Sequence, residues 1–139
     1  MPVAIRPAEP ADFAAVATVI DAWWGRPVAA ALPRLFLDHF HATSSIAEDH
    51  ELAGFLVGFH SPGLDGVSYV HFAGVRPDQR RTGLARRLYG RFTDQAREAG
   101  SRELRAITGP SNTGSIRFHE RLGFTSGGRS RTTTGPASR

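Results

Sequence analysis

Four arginines, Arg80, Arg81, Arg86 and Arg87, crowd the start of a stretch with helical spacing that begins near Gly83. A helix N-terminus carries roughly +0.5 of an elementary charge from aligned peptide dipoles and presents unpaired N–H groups. Carboxylates suit such an end; four cations there suit a polyanion that arrives from outside. Gly83 lets the backbone approach a ligand closely, and the small Ala85 keeps bulk away where the helix begins. Two other readings stay open: a solvated arginine cluster balanced by Asp78, Asp94 and Glu98, and a contact with nucleic-acid phosphates. One strand–turn–helix cradle with a glycine matches a single pyrophosphate better than a long backbone. No aromatic and basic surface for stacking single strands is apparent, so no nucleic acid is expected as a partner.

The rest of the composition narrows the class. A chain of 139 residues with 40% hydrophobic residues fits one globular domain with a real core. The absence of cysteine excludes disulfides, thiolate metal sites and a cysteine nucleophile, and no metal is invoked. No apolar run approaches the ~20 residues of a membrane span. The segment Met1–Arg6 lacks the layout of a signal peptide, so the expected location is cytoplasmic, with no membrane partner. The net charge is +4 and the pI about 10.9. All 17 basic residues are arginine, a bias that a GC-rich genome produces without functional cause and that an anionic partner also explains.

The elements that must position the turn follow from periodicity. Residues 3–6 read as a first strand. Pro10 and Asp12 open a helix whose apolar stripe is Phe13, Val16, Ala17, Ile20 and Trp24, stopped at Gly25. A shorter helix covers about 32–41. Strands are expected at 45–48, 51–59 and 67–75, with turns at Asp49-His50 and at residues 61–66. The helix over 83–99 has the stripe Leu84, Leu88, Phe92 and Ala96, with Gly100 as its C-terminal cap. A strand at 102–108 and a helix at about 113–122 complete the order β-α-α-β-β-β-α-β-α. The pattern is a mixed α/β domain whose last half implies parallel strand pairing.

Two motifs in this frame resemble a known family. Val75-Arg76-Pro77-Asp78-Gln79-Arg80-Arg81-Thr82-Gly83-Leu84-Ala85 is similar to the strand-to-helix motif of the GNAT superfamily of N-acetyltransferases, Arg/Gln-x-x-Gly-x-Gly/Ala. The segment from Asn112 to Phe124 resembles the family's later motif, Asn-x-x-Ala-x-x-x-Tyr-x-x-x-Gly-Phe. The opening Ile5-Arg6-Pro7-Ala8 with Asp12 also resembles family N-termini, and the likeness covers roughly residues 3–124. It implies a GNAT-like mixed sheet flanked by helices and acetyl-CoA as cofactor. The amides of Arg81 to Arg86, with Arg80, Gly83, Leu84 and Ala85, would hold the pyrophosphate. Backbone groups near Ala73 and Val75 would pair with the pantetheine arm, where their strand splays from 102–108. The acceptor would be an amine of a small molecule or peptide. The alternatives are a CoA-binding protein of this fold with impaired catalysis and an arginine-rich nucleic-acid-binding domain.

Acetylation of an amine needs a proton taken from the amine, an oxyanion stabilised and a leaving thiolate served. His119 stands where the family usually has the Tyr that protonates the thiolate, and an imidazole of ordinary pKa about 6.5 can donate there. A histidine without catalytic role is the other reading. Asn112, Ser115 and His119 share a helical face; Asn112 is a natural N-cap, and the resemblance adds contact with the cofactor for Asn112 and Ser115. His71 is the candidate base, on one strand face with Tyr69 and Ala73; a satisfied core histidine is its alternative. Asp49, Glu51 and a water-mediated base also remain, while His39 and His41 read as surface residues. The resemblance places Trp23 and Trp24, with Tyr69, on the acceptor side, against stacked core aromatics as the other meaning.

Residues 125–139 contain no large apolar side chain and read as a polar, irregular tail beyond a domain at 1–124. Relatives continue with two more strands, so the C-terminal strands are expected to be truncated. A natural shortening would leave a sheet edge for a second copy of the chain to cover, giving a homodimer. A shift of reading frame within 131–139 is the competing explanation.

Overall fold

The computed structural model describes residues 2–107, 125–127 and 131–134. Its elements are β1 (Ala4–Pro7), α1 (Phe13–Trp24), α2 (Leu35–Phe40), β2 (Ser45–Glu48), β3 (Leu52–His60), β4 (Val67–Val75), α3 (Leu84–Glu98), β5 (Glu103–Ile107), β6 (Thr125–Gly127) and β7 (Arg131–Thr134). The order matches the sequence expectation through β5, and the helix expected at 113–122 lies outside the described residues. The strand order is β1-β2-β3-β4-β5-β7-β6. Pairing is antiparallel from β1 to β3 and parallel between β4 and β5, so the sheet is mixed. Among the described residues no helix is long and apolar enough to cross a membrane.

The chain packs as two units, Met1–Gly58 with Phe72–Phe92, and Phe59–His71 with Thr93–Arg139. In the first, Val16, Ile20 and Trp23 form the buried stripe of α1 and join Ala8, Leu32, Leu37, Ile46, Phe55 and Val57 in one core. Helical spacing puts these α1 residues on one face, and nine side chains of this kind supply the apolar burial that drives the unit together. The opening residues close this unit with charge. Arg6 donates to both carboxylate oxygens of Asp12, at 2.8 and 3.0 Å, and to Glu48 at 2.8 Å. Those bonds hold the Asp12 carboxyl below its usual range.

In the second unit, β4 and β5 pair from Val67↔Glu103 to Val70↔Ala106. The N–H groups of Arg102 and Glu103 both donate to the Gly66 carbonyl, at 2.8 and 3.1 Å, which sets this register. Gly66 has φ +75°, a left-handed conformation that favours glycine. The end of α3 is stopped by Gly100 at φ +90°; its N–H donates to the Arg97 carbonyl while Ser101 N–H reaches Ala96.

Two short strands form inside the segment read as irregular: β7 pairs antiparallel with β5, and β6 with β7. These strands are short, three and four residues, in keeping with the expected truncation, and β7 lies along β5. Strand pairing uses backbone groups, and the β-branched Thr132, Thr133 and Thr134 favour extended backbone; apolar content alone therefore underestimates such a segment.

Candidate active site

Eight residues, 76–83, connect β4 to α3 and include a one-turn helix at Pro77–Gln79. Thr82 donates its N–H and its hydroxyl to the Gln79 carbonyl, at 3.4 and 2.6 Å, which tightens the turn. Arg81 then takes a left-handed conformation, φ 67°, and Gly83 follows at φ 86°. For arginine that conformation costs about 1–2 kcal/mol. The first α3 bond of the turn runs from Arg87 N–H to the Gly83 carbonyl. The N–H groups of Gly83, Leu84, Ala85 and Arg86 therefore find no acceptor among the described residues, as the first turn of a helix requires. Among the described residues, a Cβ on Gly83 would meet nothing within 4 Å, so the space beside this glycine is open.

Two of the three carboxylates proposed to balance the arginines are engaged elsewhere. Asp78 accepts from Arg76 at 2.7 Å, and Asp94 lies 3.6 Å from Arg97. Among the described residues no carboxylate pairs with Arg80, Arg81, Arg86 or Arg87. Arg87 donates to the Val3 carbonyl at 3.2 Å, which leaves its charge uncompensated. Open amides, a helix dipole and unpaired cations converge on one turn, the physical requirements of a phosphate cradle.

Beside the turn lies a pocket of about 270 Å³ lined by Trp23, Trp24, Gly74, Val75 and Arg80. It brings both tryptophans together with the end of β4 and the first arginine of the turn. Trp23 stacks on Phe55 with ring centroids 6.1 Å apart, and Trp24 meets Phe72 edge-on at 4.8 Å. Trp23 is buried and also a core residue, so the two meanings foreseen for it coexist. Trp24 lies against bare backbone: a Cβ on Gly74 would fall 2.6 Å from its ring carbon Cζ3. Among the described residues the β4–β5 register runs from Val67 to Val70, and His71, Ala73 and Val75 follow on β4.

Other expected residues separate from this group. Tyr69 stacks on Phe59, with centroids 5.5 Å apart, and does not line the pocket. Asp49 accepts two bonds from Arg76, at 2.7 and 3.2 Å, and these hold its carboxyl well below the usual range. A carboxylate so stabilised is a poor proton acceptor, which removes Asp49 as a base. Glu51 is exposed at the same hairpin. His39 is exposed as expected, whereas the half-buried His41 places Nδ1 3.0 Å from the Leu37 carbonyl. Asn112, Ser115 and His119 lie outside the described residues. Sequence reasoning missed the left-handed Arg81, the role of Gly74, and the direction of the Arg80 side chain.

Residues 10–124 match the model of the acetyltransferase (GNAT) family. Over 83 residues the chain is 37% identical to a mycothiol acetyltransferase of Thermobispora bispora, covering 54% of this chain and 28% of that protein. Over 78 residues it is 37% identical to an L-methionine sulfoximine/L-methionine sulfone acetyltransferase of Salmonella typhimurium, covering 52% and 46%. The chain thus spans less than half the length of these relatives. Its fold is similar to that of a GNAT-family protein from Desulfovibrio desulfuricans, with TM-score 0.84 and 24% identity over 98% of this chain and 100% of that one. With a family match over most of its length and a fold shared from end to end, this chain belongs to the acetyltransferase (GNAT) family.

Proposed function

We propose that the chain is an acetyl-CoA-dependent N-acetyltransferase that modifies the amine of a small molecule or peptide. One observation carries the reading: the turn at residues 80–86 offers amides without acceptors and arginines without ion pairs. That donor set fits a pyrophosphate in charge and in hydrogen-bonding sense. Arg80, Arg81, Gly83, Leu84, Ala85 and Arg86 would hold it. The backbone of Ala73 and Val75, at the end of β4 that leads into the turn, suits the extended pantetheine arm. Acetyl-CoA supplies the activated acetyl thioester.

The chain's own residues then divide the remaining work. His71 would take the proton that the amine must lose, and His119 would offer an N–H where relatives carry tyrosine. Asn112 and Ser115 would touch the cofactor, and Trp23 and Trp24 would shape the acceptor side. The names of the two curated relatives, both acetyltransferases, support this class of reaction.

Acetyl-CoA at 100 times its dissociation constant should stabilise the protein by about 2.7 kcal/mol. An amine panel assayed for free thiol then reads turnover. Binding without thiol release would mark a catalytically impaired CoA-binding protein. No stabilisation, together with DNA binding that weakens steeply with salt, would overturn the proposal. His71→Ala and His119→Ala test the proton roles; kcat/KM unchanged across pH in either variant removes that residue.

A further inference from the structure

The end of α1 poses its own problem of unsatisfied groups. The last four carbonyls of a helix lack intrahelical partners and carry the negative end of the dipole. Gly25, left-handed at φ 74°, donates its N–H to the Asp21 and Ala22 carbonyls at 2.8 and 3.3 Å. The Trp23 carbonyl is served from 57 positions along the chain, where Arg80 Nη2 donates to it at 2.6 Å. The first arginine of the anion turn is therefore also the C-terminal cation of α1.

A guanidinium has five N–H donors in a planar fork. One is spent on Trp23, and the fork leaves others for an anion at the turn. Trp23 and Trp24 are held on their other side by Phe55, Phe72 and the bare backbone at Gly74. Among the described residues, the tryptophan wall thus has an aromatic support and a polar tie through Arg80.

We propose that Arg80 is a positioning residue that couples occupancy of the anion turn to the Trp23–Trp24 wall. An anion that fixes the guanidinium fixes the Trp23 carbonyl, hence the end of α1, hence the wall that faces the acceptor. The naming of that anion as CoA rests on the function proposed above; the tie itself does not.

The chain has two tryptophans, both in this pocket, so their emission reports on it alone. The experiment measures CoA binding by calorimetry and acrylamide quenching of tryptophan with and without saturating CoA. In the wild type, CoA should protect the tryptophans. Arg80→Ala should bind CoA about tenfold more weakly, the order expected for one hydrogen bond to a charged group. At saturation it should show no protection. Arg80→Lys, which keeps a cationic donor, should restore part of it, and Arg81→Ala should keep it despite weaker binding. Full protection in Arg80→Ala, or CoA binding to the wild type without protection, overturns the coupling. If Arg80→Ala does not fold, Arg80→Gln takes its place. A wild type that binds no CoA refutes the cofactor reading instead, and inorganic pyrophosphate then serves as the probe. Protection by pyrophosphate that Arg80→Ala loses sustains the tie, and no response to pyrophosphate overturns it.

Discussion

Gly83 and Gly100 form a matched pair for testing the anion turn. Their φ angles are 86° and 90°, and a Cβ on either meets nothing within 4 Å. Alanine at either site therefore brings backbone strain without a clash, about 1 kcal/mol net. In a chain of this size that lowers Tm by roughly 3–4 °C. The two differ in what fills the open space: Gly100 caps α3, while Gly83 sits below amides that await an acceptor. Acetyl-CoA at 100 times Kd should raise the wild-type Tm by roughly 8 °C, from about 2.7 kcal/mol of linkage. A methyl that costs one charge-assisted contact weakens binding about tenfold, removes about 1.4 kcal/mol and halves that shift. Gly83→Ala should thus show a ligand-induced shift of roughly 4 °C, and Gly100→Ala the full value, by scanning fluorimetry. Equal ligand shifts in the two variants would mean that Gly83 serves φ alone, and the cradle would have to be abandoned.

Three further outcomes follow from other sites. At Arg81 the usual ranking of Ala above Gly should invert: Arg81→Gly should be more stable than Arg81→Ala by about 1 kcal/mol, because the left-handed backbone favours glycine; denaturant midpoints in the normal order would contradict the strain. Phe55 is fully buried between both tryptophans, so Phe55→Ala should cost about 3–5 kcal/mol and red-shift tryptophan emission; a loss below about 1 kcal/mol would deny it that role. Arg76 depresses the Asp49 pKa, so the pair's contribution is complete above the unfolded carboxylate value of about 3.9 and fades as pH falls through the folded one. The Tm difference between wild type and Arg76→Ala should hold from pH 7 to about 5 and close in acid; a constant gap down to acid unfolding would exclude that linkage.

What was legible in the sequence was what neighbours in the chain determine. The α3 stripe of Leu84, Leu88, Phe92 and Ala96 is a local period, and all four are buried. The glycine at the turn and the crowd of arginines were equally visible, because the field of a helix end is set by the helix itself. The partners of those charges were not visible. Asp78 could be counted against Arg80 or against Arg76, and only the fold chose Arg76. Asp49 looked available as a base until Arg76 met it across 27 positions. The strands β6 and β7 were missed because their backbones pair with a strand whose place the local sequence does not specify. Arg81 gave no sign of its conformation, since arginine rarely adopts a left-handed one.

The choice of arginine at the turn carries a chemical consequence. Lysine would supply the same charge, yet its amine, once deprotonated, is itself an acyl acceptor. Guanidinium stays protonated with a pKa above about 12 and does not compete for the acyl group. A surface rich in lysine would offer amines to every acetyl-CoA that approaches it, even though the thioester of a bound molecule lies a pantetheine arm away from the cradle. This chain, with no lysine at all, keeps its own surface inert toward the donor it is proposed to bind.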